Sequence, residues 1–164
     1  MRKPLIILKR LVMNTNVTIF ITATCLCILS PTYSQWIKYV IDDNINLAVS
    51  VDVADMDDDT KLDLLVTNFR GNQLIWYQNN FSIWTKHIIE NVGPTFAYTG
   101  DINGNNTLDV VTCLWSSGKM VWYENNHPIW TKHIIDENTD DADFMLVADF
   151  DNDDTLDVVT AGGY

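Results

Sequence analysis

Cysteine is scarce in this sequence and lies mostly near its start. Only three cysteines occur among the 164 residues, and two of them, Cys25 and Cys27, fall within the first 34 residues. If that segment is removed on export, only Cys113 remains, which excludes an intrachain disulfide framework. Cys113 stands in an apolar stretch, so we interpret it as a small buried hydrophobic residue rather than a nucleophile.

Positive charge is also scarce. The chain has ten lysines and arginines against 22 aspartates and glutamates, a formal net charge of −12. Residues 1–34 contain four of the basic residues and no acidic ones, so the remainder has 6 basic and 22 acidic residues and a net charge of −16. This charge argues against nucleic acid as a partner and favours the binding of cations.

Long uninterrupted apolar runs are missing. The run from Val17 to Leu29 contains Thr22 and Thr24 and is shorter than the about 20 residues that a membrane-spanning helix needs. It follows a basic start and precedes a short Ser- and Pro-containing tail, a layout typical of a secretory signal peptide. We therefore predict a signal peptide at 1–34, a secreted or cell-surface location, and a mature chain without a membrane span. An uncleaved anchor is the alternative.

No helical periodicity is sustained after residue 35, but a repeat of about 47 residues is present. The segment Tyr77 to Glu90 returns as Tyr123 to Asp136, and Gln35 to Asp42 is an earlier copy of its second half. A second marker follows the same period, and two markers with one spacing indicate an internal repeat. Its three copies are the acidic stretches 55–63 (DMDDDTKLD), 101–109 (DINGNNTLD) and 149–157 (DFDNDDTLD), called here the first, second and third loops.

Each repeat contains signals for four short strands. An apolar segment leads into the acidic loop, and the loop is followed by a β-branched run suited to a strand buried on both faces. Two more strand patterns follow, separated by turns. We predict an all-β fold of β-propeller blades with four antiparallel strands each. Residues 35–164 supply two to three blades, so we interpret them as part of a longer propeller, with assembly from several chains as the alternative.

The acidic loops have the composition of calcium sites. Positions 1, 3, 5 and 9 of each loop are always Asp or Asn, and Ca²⁺ accepts six to eight oxygen ligands with loose geometry. Position 7 is expected to contribute its backbone carbonyl. The predicted ligands are Asp55, Asp57, Asp59, Lys61 and Asp63 in the first loop; Asp101, Asn103, Asn105, Thr107 and Asp109 in the second; and Asp149, Asp151, Asp153, Thr155 and Asp157 in the third.

Other interpretations of the loops are weaker. Mg²⁺ prefers a stricter octahedron, and the loops lack the Cys and His ligands that zinc or copper favours. An EF-hand or dockerin repeat needs an acidic residue at position 12, where this chain has Val66, Thr112 and Thr160. Acidic turns that hold no ion are the remaining alternative, because Asp and Asn populate turns freely.

The pattern D-x-[DN]-x-[DN]-x-x-x-D, followed by an apolar strand at a blade-sized period, resembles the FG-GAP or VCBS repeat family. The resemblance implies a secreted or surface-exposed propeller with calcium between the first two strands of each blade. The family usually has glycine at position 6, where this chain has Thr60, Asn106 and Asp154. We expect Thr60 to distort the first loop, the second loop to bind calcium most weakly because it has two carboxylates, and the third to bind most strongly.

Catalytic residues are not expected in 35–164. His87 and His133 occupy equivalent positions and are interpreted as packing residues, and the Trp-Tyr pairs at 76–77 and 122–123 as core between blades rather than a sugar-stacking surface. We expect a non-enzymatic module for adhesion or for recognition of an extracellular protein or polysaccharide. The alternatives are the non-catalytic propeller of a secreted polysaccharide-degrading enzyme and a spacer in a surface protein.

Overall fold

A computed structural model describes residues 5–12, 34–139 and 142–162. The chain divides into two compact units, a small one at Pro4–Asp43 and a larger one that contains Asn44–Tyr164. Within the described ranges, no helix has the length and apolar character needed to cross a membrane.

The small unit is a two-stranded antiparallel hairpin. Strand β1 (Leu5–Val12) pairs with β2 (Ser34–Asp42). Strand β2 coincides with the repeat copy predicted at 35–42. Strand β1 lies inside the segment predicted to be a signal peptide, and residues 13–33 of that segment are outside the described residues, so the signal peptide stays a prediction.

The larger unit begins with a complete four-stranded blade. Its second strand, DLLVTN, is buried at all six positions, as expected for a β-branched and apolar run with neighbours on both faces. Its outer strand shows mixed exposure, as its alternating sequence predicts. The strands pair antiparallel in chain order. They are β3 (Ala48–Ala54), β4 (Asp63–Asn68), β5 (Gln73–Asn80) and β6 (Ile83–Glu90).

A second blade repeats this architecture. Its second strand, DVVTCL, is again buried at all six positions. A short 3₁₀ turn at Trp115–Ser117 ends with Gly118 in the left-handed region, at φ 58°, where glycine has no steric penalty. The strands are β7 (Pro94–Gly100), β8 (Asp109–Leu114), β9 (Lys119–Asn126) and β10 (Ile129–Asp136).

The third repeat contributes two described strands, β11 (Ala142–Ala148) and β12 (Asp157–Gly162). The prediction of a strand buried on both faces is wrong for β12, where Val159 is 47% exposed. In the described part of the chain, this sheet has only two strands and packs mainly against the second blade, so side chains on its other face stay exposed. Nevertheless, the four-stranded antiparallel sheets confirm the predicted all-β fold of partial propeller blades.

The hydrophobic core lies between sheets. Leu65 and Trp76 of the first blade pack in one cluster with Val110, Val121 and Tyr123 of the second. Trp76, Tyr77 and Tyr123 are at most 2% exposed, which confirms these three aromatic residues as core. Trp122 is only partly buried and packs against the cluster between the second blade and the third sheet. Burial of such large rings supplies much of the apolar area that stabilises the fold.

A second cluster joins the second blade to the third sheet. Cys113 belongs to it and lies with its Sγ 4.0 Å from Met145 Sδ. Burial raises the pKa of the Cys113 thiol to about 11, so the thiol is protonated at neutral pH. This confirms the interpretation of Cys113 as a small buried hydrophobic residue.

Polar contacts also connect the two blades. On the inner strands, Asp52 Oδ2 accepts hydrogen bonds from Thr99 N and Thr99 Oγ1, both at 2.8 Å. Near the outer strands, Glu90 accepts from Tyr123 Oη and, at 2.9 Å, from Lys132 Nζ. Burial acts to raise the pKa of Glu90, but the bonds from Tyr123 and Lys132 outweigh it and hold this pKa below its usual value. Polar contacts therefore join the first and second blades both at their inner strands and near their outer strands.

This packing predicts a large difference between two equally conservative substitutions. Val110 is fully buried between the blades, whereas Val53 is 51% exposed. We expect Val110→Ala to lower the free energy of unfolding by about 2 kcal/mol, from lost burial plus a cavity. Val53→Ala should change it by no more than about 0.5 kcal/mol. Chemical denaturation of both variants measures this, and equal losses would contradict the assignment of the core.

Candidate metal centres

The three acidic loops occupy equivalent places in the fold. Each joins the first and second strands of its sheet, and the aspartate at position 9 is the first residue of the second strand. In the first blade, for example, β3 ends at Ala54 and β4 begins at Asp63. This agrees with the predicted placement of the loops in the hairpin between the first two strands.

The carboxylate at position 1 closes each loop on itself. Asp55 accepts hydrogen bonds from Asp59 N at 3.0 Å and Thr60 N at 2.7 Å. Asp101 accepts from the equivalent amides of the second loop at 3.0 and 2.9 Å. Asp149 does so in the third loop at 3.2 and 3.1 Å. The three loops therefore share one backbone fold, set by a side chain that accepts local amide bonds.

The carboxylate at position 9 ties each loop to its sheet. Asp63 and Asp109 are fully buried, and Oδ2 of each accepts the amide of position 2 at 3.2 Å. Their Oδ1 atoms accept the amides of Asn79 and Asn125 on the third strand, at 2.8 and 2.9 Å. Trp76 Nε1 adds a third donor to Asp63 at 2.9 Å. Burial raises the pKa of both carboxyls despite these bonds.

Asp157 shares part of this arrangement in the third loop. Its Oδ2 accepts the amide of Phe150, the residue at position 2, at 3.0 Å. The hydrogen bond between the position-9 carboxylate and the position-2 amide is therefore common to all three repeats. Asp157 itself is only half-buried, because the third sheet has two described strands rather than four.

Two residues of each loop adopt left-handed backbone conformations. At position 4, Asp58, Gly104 and Asn152 have φ between 57° and 73°. At position 6, Thr60, Asn106 and Asp154 have φ between 64° and 70°. The expected distortion of the first loop is therefore wrong, because Thr60 adopts the same conformation as its counterparts. Its hydrogen bond to Asp55 stabilises this turn against the strain that a β-branched residue carries there.

The loops differ in which carboxylates converge. In the first loop, carboxylate oxygens of Asp55, Asp57 and Asp63 lie within 4.8 Å of one another. Asp59, also a predicted ligand, is paired with Lys61 Nζ, which lowers the pKa of Asp59. The side chain of Lys61 therefore competes for a carboxylate that the sequence pattern assigns to the metal.

In the third loop, the converging carboxylates are Asp149, Asp151 and Asp153, again within 4.8 Å. Thr155 donates to Asp153 Oδ1 through its amide at 2.9 Å and its hydroxyl at 2.5 Å, and these bonds lower the pKa of Asp153. Asp157 is outside this group of three. The carboxylates at positions 1 and 3 are thus common to the clusters of the first and third loops.

The second loop has amides where the others have carboxylates. Asn103 Oδ1 accepts from Asn105 N at 3.1 Å, and Asn105 Oδ1 accepts from Thr107 N at 2.8 Å and Thr107 Oγ1 at 2.5 Å. Asp101 and Asp109 are its only two carboxylates. The structure therefore gives this loop the same backbone frame with less negative charge of its own. Metal ligation by the side chains and by the position-7 carbonyls stays a prediction in all three loops.

One carboxylate oxygen of the first loop indicates whether a cation fits there. Asp57 Oδ2 accepts from Gln78 Nε2 at 2.5 Å, whereas Asp57 Oδ1 is buried and has no hydrogen-bond partner among the described residues. A buried carboxylate oxygen without a donor is costly, and here it belongs to a carboxylate of the group formed with Asp55 and Asp63. These residues fit a divalent cation bound by oxygen ligands.

Gln78 and Glu124, the side chains that contact the first and second loops from the third strands, were not predicted from the sequence. Gln78 of β5 contacts Asp57 and His87, with 3.2 Å between Gln78 Oε1 and His87 Nε2. In the second blade, Glu124 takes the place of Gln78, and its Oε1 accepts from Asn103 Nδ2 at 3.2 Å. Carboxylate and amide are therefore exchanged between the blades. The signal was present, since YQNN faces an Asp at position 3 and YENN faces an Asn.

The histidines complete these chains of contacts. His87 stacks on Trp76 with 4.5 Å between ring centroids, and His133 stacks on Trp122 at 4.2 Å. His133 Nε2 also lies 3.2 Å from Glu124 Oε2. Burial lowers the pKa of His87, which favours a neutral ring in the stack. The stacking agrees with the interpretation of both histidines as packing residues.

The antiparallel blades and the repeated acidic hairpins define the class of the protein as a β-propeller-like repeat module. Within that class, residues 55–112 match the model of the FG-GAP-like repeat, which confirms the resemblance for this part of the chain. The match begins at position 1 of the first loop and ends in β8, so it covers the rest of the first blade and the second loop. Comparison with curated proteins and with solved structures gave no match.

The left-handed conformation of Thr60 generates a prediction about stability. Asparagine, present at the same position of the second loop, tolerates φ near 70° better than a β-branched residue does. We expect Thr60→Asn to raise the free energy of unfolding by about 1 kcal/mol and the reciprocal change Asn106→Thr to lower it by a similar amount. Denaturation with a chelator present measures the backbone effect alone. A destabilised Thr60→Asn variant would contradict this account of the turn.

Proposed function

We propose that the chain is part of an extracellular, calcium-stabilised propeller that binds a protein or polysaccharide partner and does no chemistry of its own. The observation that carries the calcium assignment is the buried, unpartnered Oδ1 of Asp57 in a group of three carboxylates. Export of the protein is supported by two other observations, the FG-GAP-like repeat and the signal-peptide layout of residues 1–34. The adhesion or recognition role follows from the family resemblance.

Calcium suits these loops for electrostatic reasons. Two like charges about 4 Å apart repel by about 4 kcal/mol at the effective dielectric of a protein surface, and a divalent cation bound between them adds attractions that outweigh this repulsion. In the first loop Asp55, Asp57 and Asp63 would hold the ion, and in the third Asp149, Asp151 and Asp153. The bound ion supplies charge neutralisation and rigidity, since it binds the folded loop and adds to the folding free energy.

A non-catalytic role is supported by the sameness of the loops. General acid–base chemistry uses two ionisable groups whose surroundings separate their pKa values. Here the same hydrogen-bond frame recurs at position 1 and position 9 of each loop. Each carboxylate therefore has a structural task that repeats from blade to blade, which suits a cation site better than a reaction centre.

Calcium should stabilise the fold measurably. At a Ca²⁺ concentration about 100-fold above the dissociation constant, each loop adds about 2.7 kcal/mol to the free energy of unfolding. The melting temperature should therefore rise on titration with Ca²⁺ and fall when EDTA is added. An unchanged melt of the folded chain across the titration would contradict the proposed calcium sites.

A matched pair of variants tests the ligand assignment in the first loop. Asp57→Asn and Asp58→Asn each remove one negative charge, but Asp57 belongs to the converging group, whereas Asp58 is an exposed turn residue at φ 57°. We expect Asp57→Asn to weaken Ca²⁺ binding by about tenfold or more and Asp58→Asn by about twofold, through long-range charge only. Calorimetric titration measures both affinities. Equal weakening would mean that net charge, not ligation, binds the ion.

The exchanged pair in the second blade gives a further prediction. Glu124 lies against Asn103, so its charge is available to the loop that has two carboxylates of its own. We expect Glu124→Gln to weaken Ca²⁺ binding at the second loop by about fivefold, since one nearby charge is lost. The double variant Asn103→Asp with Glu124→Gln reproduces the arrangement of the first blade and should regain the affinity.

The readout for this pair is calorimetry in a background where the other two loops are disabled by Asp55→Ala and Asp149→Ala. A double variant no better than Glu124→Gln would show that the charge of Glu124 does not contribute to the second loop. Any change in the contact with His133 is common to both variants, so their comparison cancels it.

A further inference from the structure

One buried side chain contacts two neighbouring loops at the same time. Asn125 of β9 is 7% exposed. Its Nδ2 donates to Leu108 O of the second loop at 3.0 Å and to Met56 O of the first loop at 2.9 Å. The two N–H groups of this amide thus donate to carbonyls that belong to different blades. It also borders a cleft of about 490 Å³ that lies between the first and second loops.

The contacts continue to the anchoring carboxylate of each loop. Asn125 N donates to Asp109 Oδ1 at 2.9 Å, at position 9 of the second loop. Met56, whose carbonyl accepts from Asn125, donates its own amide to Asp63 Oδ2 at 3.2 Å. An unbroken series of hydrogen bonds therefore connects Asp109 to Asp63 through Asn125 and Met56. Both end members are fully buried, so water does not readily replace a broken link.

The first blade contains a natural control. Asn79, the counterpart of Asn125, donates its amide to Asp63 Oδ1 at 2.8 Å and its Nδ2 to Leu62 O at 3.0 Å. These are the same contacts that Asn125 makes within its own blade. Among the described residues, Asn79 has no bond to another acidic loop. The two asparagines therefore differ in the single bond that crosses between blades.

We propose that Asn125 is a positioning residue that couples the first and second loops, so that a cation bound in one raises the affinity of the other. The coupling of cation affinities rests on the calcium sites proposed above. The geometry supplies the path: a cation that orders the second loop fixes Leu108 O and Asp109, these hold Asn125, and Asn125 holds Met56 O at the entrance to the first loop. The effect is reciprocal, as linkage requires.

The affinity test uses Ca²⁺ and a background in which the third loop is disabled by Asp149→Ala. In that background, calorimetry gives the affinity of the first loop with the second loop intact and with it disabled by Asp101→Ala. We expect the first loop to bind about three- to tenfold more weakly when the second is disabled, the range that one or two hydrogen bonds transmit. Asn125→Ala should abolish this dependence, whereas Asn79→Ala, which removes two bonds that both lie within the first blade, should retain it.

A second readout needs no metal. Hydrogen exchange of the Asp59 and Thr60 amides, which are bonded to Asp55, reports the order of the first loop. With EDTA present, Asp101→Ala should speed this exchange by about threefold in the parent chain and not in the Asn125→Ala variant. If Asn125→Ala does not fold, Asn125→Leu keeps a similar volume and removes the same donors.

The outcomes separate the two proposals. If none of the loops binds Ca²⁺, the proposed calcium function is overturned. The hydrogen-exchange measurement then tests the structural coupling by itself. Binding at both loops with affinities that do not depend on each other overturns the coupling and leaves the calcium sites standing. Coupling that survives Asn125→Ala or Asn125→Leu overturns the role of Asn125. Coupling that is lost there and kept in Asn79→Ala supports it.

Discussion

The structure of each blade depends on a buried carboxylate at the start of its second strand. Asp63 and Asp109 are fully excluded from solvent, and a buried ionised group without partners costs several kcal/mol. The partners are backbone amides, one from the loop and one from the third strand. To deliver them, the loop must fold back over the strand end and the third strand must lie alongside. The acidic loop is therefore part of the framework of the sheet as well as a candidate cation site.

The repeat made the fold predictable from the sequence. Two markers at one spacing located the blades, and the apolar runs of β4 and β8 indicated strands covered on both faces, which the structure confirms. Burial on both faces was wrongly predicted for β12, since burial depends on neighbours that a strand's own sequence does not encode. The distortion predicted at Thr60 was also wrong, because the bonds to Asp55 impose a conformation that a β-branched residue disfavours. In both cases the surroundings outweighed the residue.

The candidate sites were predicted in outline but not in detail. Position in the pattern identified the carboxylates, but it did not reveal that Lys61 engages Asp59 or that positions 1 and 3 converge together in the first and third loops. Nor did it indicate Gln78 and Glu124, which are 21 residues away from the loop positions they contact. Such contacts arise from strand pairing, so they become visible only when the sheet is assembled. Asp57 with Gln78 in the first blade corresponds to Asn103 with Glu124 in the second. What is repeated is therefore a carboxylate paired with an amide, whichever of the two positions carries the charge.

The contact of Asn125 with Met56 has a bearing on how such arrays change in length. Its acceptor is a backbone carbonyl, which every amino acid at that position provides. The hydrogen bond between neighbouring blades therefore requires an asparagine in one blade and no particular side chain in the other. A duplicated or deleted blade adds or removes its own asparagine, and the new neighbour needs no matching substitution. The number of repeats can thus change by recombination while the hydrogen bond between adjacent blades is kept.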